Sequence, residues 1–79
     1  PNTRAVTIVV PLPPGIEADT VRLKVVMINN NTYDVAIIID NAQIDTTEFP
    51  HYVVVDVPET GGYTVRAYVN DTLVTEKSY

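Results

Sequence analysis

The segment GGYTVRAYVNDTLVTEKSY, residues 61–79, sets the reading of the whole chain. Tyr63, Val65, Ala67 and Val69 fall on one side of an extended backbone, and Thr64, Arg66 and Tyr68 on the other. That two-residue period belongs to a half-buried strand. Asn70-Asp71 follows, a pair that tolerates the left-handed backbone of a tight turn. Leu73 to Tyr79 then runs back antiparallel, and a hairpin closes the chain.

The same rhythm recurs upstream. Val6, Ile8 and Val10 share one face of a first strand, which the prolines and glycine of PLPPG (11–15) end. In VRLKVVMI (21–28), Val21, Leu23, Val25 and Met27 face one way, and Arg22 and Lys24 the other. The asparagines of INNNT (28–32) make the next turn. DVAIIID (34–40) is a third strand with Val35, Ile37 and Ile39 expected inward. Ala36 and Ile38 lie on its second face, which suggests partial cover on both sides. Asp40-Asn41 reads as a tight hairpin turn leading into a short edge strand at Ala42–Ile44. DTTEFP (45–50) reads as a loop, and HYVVVDV (51–57) as a strand with Val53, Val55 and Val57 inward. No window sustains helical spacing. The expectation is an all-β, antiparallel sandwich of about seven short strands without a helix, folded as a single domain over residues 1–79.

Composition agrees. Valine and isoleucine dominate the apolar residues, and β-branched side chains suit a pleated surface. With no cysteine, the fold rests on its core rather than on disulfides. The net charge is −5, and the five basic residues are scattered along the chain. A scattered set disfavours nucleic acid, which selects a concentrated positive stripe. No apolar run is long enough for a transmembrane span. Pro1 fits either a mature N-terminus left after methionine removal or an artificial boundary.

The stretch from Val57 to Tyr79 resembles the last two strands of immunoglobulin-like modules, in particular the fibronectin-III, PKD and related bacterial or archaeal surface types. The matching residues are Pro58, Gly62, Tyr63, Thr64 and Val65, with Asn70-Asp71 at the turn. The resemblance covers about the last quarter of the chain. It implies an immunoglobulin-like sandwich in which Tyr63 is a tyrosine-corner residue, its hydroxyl tied to backbone just upstream. The lack of a cysteine pair and of tryptophan sets the antibody-type branch aside.

The residue inventory offers little chemistry. His51 is the only histidine and Ser78 the only serine, far apart in sequence, so a hydrolytic triad is not expected. Asp40, Asp45 and Glu48 gather near one loop, but Ala42 and Ile44 interrupt any EF-hand spacing, so solvated turn carboxylates are expected and no metal or cofactor. Tyr52 and Tyr68 could serve a sugar-stacking platform if their strands converged. Asn30 and Asn70 begin N-x-[ST] sequons inside turns. Val9, Val26, Ile28, Ile38 and Val54 fall on faces assigned outward, where they would form a partner surface or mark a strand whose facing is reversed.

The expected function is a non-catalytic structural or interaction module, a spacer, adhesion or assembly domain of a larger exterior protein. Its partners would be other protein chains or neighbouring domains of the same protein. The expected setting is extracellular, at a cell surface or in a virion. The alternatives are a carbohydrate-binding module and a virion decoration or tail domain. The expected partner edge is the terminal strand, through Val74, Thr75 and Tyr79.

Overall fold

A computed structural model describes residues 2–79; the reading of Pro1 lies outside the described residues. Six strands follow in order: β1 (Thr3–Val10), β2 (Thr20–Asn29), β3 (Val35–Asp45), β4 (His51–Pro58), β5 (Tyr63–Val69) and β6 (Thr72–Ser78). They form two antiparallel sheets, β1-β4 and β3-β2-β5-β6, packed face to face as an all-β sandwich. The loop expected at residues 45–50 holds one short turn of 3₁₀-helix, Thr46–Glu48. Among the described residues there is no α-helix.

The alternation read from β1, β2, β4 and β5 is the alternation that builds the core. Ile8 and Val10, Val21, Leu23 and Val25, Val53, Val55 and Val57, and Val65, Ala67 and Val69 interlock between the sheets. Leu12, Ile16 and Phe49 pack against this cluster from the connecting segments.

The third strand corrects the sequence reading twice. First, Asp40-Asn41 is not a hairpin turn and no seventh strand follows it; β3 runs unbroken to Asp45. Leu23 pairs with Ala42 while Val25 pairs with Ile39, so Asp40 and Asn41 together oppose Lys24. This is a β-bulge, and Asn41 takes its positive φ of 53° there. Second, Val35 and Ile37 point outward, 57% and 55% exposed. A further register shift opposite Val25 and Val26 inserts one residue between Ile37 and Ile39. The alternation flips there, so only Ile39 of the expected trio packs on the core.

The closing hairpin forms as read. Asn70 and Asp71 both sit at positive φ, 47° and 67°, the two-residue turn whose twist suits antiparallel strands. Asn70 also ties the hairpin to β2: its N–H donates to the Arg22 carbonyl and its Oδ1 accepts from the Arg22 N–H, both at 2.9 Å.

The two sheets meet most closely along one side. Thr75 Oγ1 of β6 donates to the Val9 carbonyl of β1 at 3.1 Å, and the Arg4 guanidinium lies 5.7 Å from the centre of the Tyr79 ring. With β1 beside β6, β4 lies toward the β3 side. There Ala36 is exposed, and Ile39, Ala42 and Ile44 are only half-buried.

Candidate functional site

Tyr63 opens β5 half-buried against the core. Its backbone exchanges two hydrogen bonds with Tyr79, at 3.0 and 2.8 Å. Its hydroxyl does not turn back to nearby upstream backbone; it accepts from Asn29 Nδ2 at 3.4 Å. The reason is register: Asn29 and Tyr63 are cross-strand partners, so their side chains share a face. Asn29 Oδ1 meanwhile accepts from the N–H groups of Asn31 and Thr32, so one amide holds both the 29–34 turn and the tyrosine. At that length the bond sits at the low end of the usual net worth, so Tyr63→Phe should cost about 0.5 kcal/mol with the fold unchanged. Chemical denaturation reads the difference; a variant as stable as the parent would leave the hydroxyl without a structural role.

The edge residues Val74, Thr75 and Tyr79 lie on β6 as expected, but they face the sandwich more than its surroundings. Thr75 reaches across to β1, and Val74 and Tyr79 are half-buried against the core. Ala67 pairs with Thr75 while Tyr68 pairs with Leu73, so Val74 is the extra residue of a bulge, turned inward. Since Tyr63 and Tyr79 exchange both hydrogen bonds, Lys77 and Thr75 continue the same bonded series. Their N–H groups face β5, and those of Glu76 and Ser78 face away.

Two outer faces carry the exposed apolar residues. On the four-stranded sheet, Val35 and Ile37 of β3 stand beside Ile28 and Val26 of β2. Val26 is only 6% exposed although it points away from the core, because its neighbours close over it. Next come Arg66 and Tyr68 of β5, then Glu76 and Leu73 of β6. Arg66 Nε donates to Glu76 Oε2 at 2.6 Å, a surface ion pair that fixes both side chains. A groove of about 340 Å³ runs between Lys24, Val26, Ile28, Val35, Arg66 and Tyr68. In the turn before β3, Tyr33 is 77% exposed with φ at +64°. A bulky residue held left-handed carries a backbone cost of roughly 1–2 kcal/mol, and an exposed ring recovers none of it by burial. The turn holds it there: the Tyr33 N–H donates to the Asn29 carbonyl at 2.7 Å, and the Asn29 N–H to the Asp34 carbonyl at 2.9 Å.

On the two-stranded sheet, Val9 faces Tyr52 and Thr7 faces Val54, with Tyr52 and Val54 about two-thirds exposed. The outward residues read from the sequence therefore split between opposite sides of the molecule and do not make one patch. Tyr52 and Tyr68 likewise lie on different sheets and do not converge on a common platform.

The remaining polar residues serve local structure. Asp45 caps the 3₁₀ turn through Thr47, whose N–H and hydroxyl hydrogen bonds hold its carboxyl below the usual carboxylate range. Asp40 sits in the β3 bulge, five residues from Asp45 along the same strand. Among the described residues no three acidic or histidine side chains gather at metal-binding distance. His51 Nδ1 contacts the Glu48 carbonyl at 3.2 Å. The sequon residues Asn30 and Asn70 both use Oδ1, toward Thr64 Oγ1 and the Arg22 N–H. Compared with protein-family models, curated proteins and solved structures, the chain matches none.

Proposed function

We propose that this chain is an immunoglobulin-like module that works by holding protein neighbours together, an assembly or adhesion domain of a larger exterior structure. The immunoglobulin-like type is supported by strand order. Such modules pair strand B with E in one sheet and run C′-C-F-G in the other. The same order results when β1 and β4 stand for B and E, and β3-β2-β5-β6 for C′-C-F-G. Role rests on one observation: both outer faces expose apolar side chains, Val35 and Ile37 on one, Val54 and Tyr52 on the other. An elongated domain with apolar side chains on each outer face is suited to contact two neighbours at once, as a subunit or spacer in an array is. A cell surface or a virion would provide that setting. The carbohydrate reading draws no support from Tyr52 and Tyr68, which face opposite ways.

Ile37→Glu and Val54→Glu test the role. Each residue is more than half exposed, so each variant should fold with stability within roughly 0.5 kcal/mol of the parent. Each should weaken incorporation into the parent assembly by at least about tenfold, or 1.4 kcal/mol. Normal incorporation of both, or glycan binding that Tyr68→Ala abolishes, would contradict the assembly role.

A further inference from the structure

A sandwich of two open sheets has four edges, and three of them are blunted. The β3 edge carries two bulges. The β6 edge carries one, and Lys77, opposite Val65, points its charge toward the inner side. The β1 edge is capped by Thr75 Oγ1 on the Val9 carbonyl and by Arg4 over Tyr79. Bulges, inward charges and covering groups are the devices that keep strand edges from pairing. β4 has no bulge and no covering group: its register with β1 is regular over all eight residues, its centre is Val53-Val54-Val55, and only Asp56 and Pro58 at its C-terminal end oppose pairing.

Which β4 groups are open follows from two bonds. The Asn2 carbonyl accepts from the Glu59 N–H, and the Val9 carbonyl points away from β4 to Thr75. Even-numbered residues of β1 therefore bond to odd-numbered residues of β4. The N–H and C=O groups of Tyr52, Val54 and Asp56 face the open side.

We infer that the β4 edge accepts one extended segment of a partner protein as an added strand, antiparallel or parallel to β4. The occupant is a single strand rather than a second sandwich, because β3 extends the larger sheet beyond β4. A second copy brought edge to edge would drive its own larger sheet into β3. A lone strand instead comes to lie over β3, with apolar side chains at alternate positions against Ile39 and Ile44. Asp56 belongs to neither ion pair found among the described residues, which are Arg22–Asp71 and Arg66–Glu76. A lysine or arginine of the segment placed beside Asp56 makes an opposite-charge cross-strand pair. Main-chain bonds supply the attachment, and the alternating side chains the selectivity. The edge uses the β4 backbone, whereas the outer face uses the side chains of Tyr52 and Val54 on the same strand; Val54→Pro removes the edge N–H, and Val54→Glu keeps it while changing the face.

The probe is a synthetic octapeptide alternating valine with threonine and lysine, titrated into the isotopically labelled protein while amide resonances are followed. In the free protein, the amides of Tyr52 and Val54 should exchange with solvent at least a hundredfold faster than those of Val53 and Val55. Peptide should shift the Tyr52, Val54 and Asp56 resonances and slow their exchange at least tenfold. Val54→Pro should fold, since its N–H serves no ladder, and should bind at least tenfold more weakly. Slow exchange at Val54 in the free protein, or failure of Val54→Pro to fold, would overturn the strand geometry. No binding at millimolar peptide, shifts centred on β3, β6 or an outer face, or full binding by Val54→Pro would overturn the site.

Discussion

Leu23→Ala should remove about 3 kcal/mol of stability. Leu23 is fully buried, and it heads the largest of the fully buried side chains. Ala42 and Val69 flank it as cross-strand neighbours. Truncating such a leucine usually costs 2–5 kcal/mol, because lost transfer energy adds to the cavity that remains. A domain of this length has roughly 4–12 kcal/mol in total, so the variant should melt more than about 10 °C lower. Urea denaturation should show a lower midpoint with an unchanged slope. A loss under about 1 kcal/mol would mean that Leu23 is not at the centre of the core.

Thr75→Pro should be nearly as damaging, and Glu76→Pro much milder. Thr75 directs its N–H to β5 and its hydroxyl to the Val9 carbonyl. Proline removes both, and losing two hydrogen bonds costs about 1–3 kcal/mol in sum. One residue on, Glu76 directs its N–H away from β5, where proline is tolerated on an edge strand. The difference in denaturation midpoint reads the register directly. If Glu76→Pro were the more harmful, the bonded series drawn from Tyr63 and Tyr79 would be displaced by one residue.

Five of the six strands were legible in the sequence, β6 from the Asn70-Asp71 turn before it and four others with the facing of their core residues, which recur at every second position. Ile8 and Val10, Leu23 and Val25, Val53 and Val55, and Val65 and Ala67 took the places their period assigned. The third was legible only as a strand; its inner face and its continuation to Asp45 were not. Val35 to Ile39 is apolar on both faces but for Ala36, so period alone cannot choose an inner side. The bulges that decide it arise from pairing with β2, which no local signal encodes. Asn41 carried a real signal, a readiness for positive φ, and that conformation serves a bulge as well as a turn. The outward placing of Val9, Val26, Ile28 and Val54 was also legible. Their division between two sheets was not, since sheet membership depends on which strands pair, and partners can be far apart in sequence, as Val9 and Tyr52 are. Tyr33 escaped the sequence reading because a tyrosine gives no warning of a left-handed backbone.

The assembly role is tested most directly by site-specific photocrosslinking in the intact parent assembly. A photoactivatable residue is placed in turn at Ile37, at Val54 and, for reference, at Glu17 in the loop that joins β1 to β2. Ile37 and Val54 should each yield a crosslink to protein, to different surfaces of the neighbours, while Glu17 gives little. Equal yields from all three positions, or no protein crosslink from either outer face, would contradict an assembly module that works through its sheet faces.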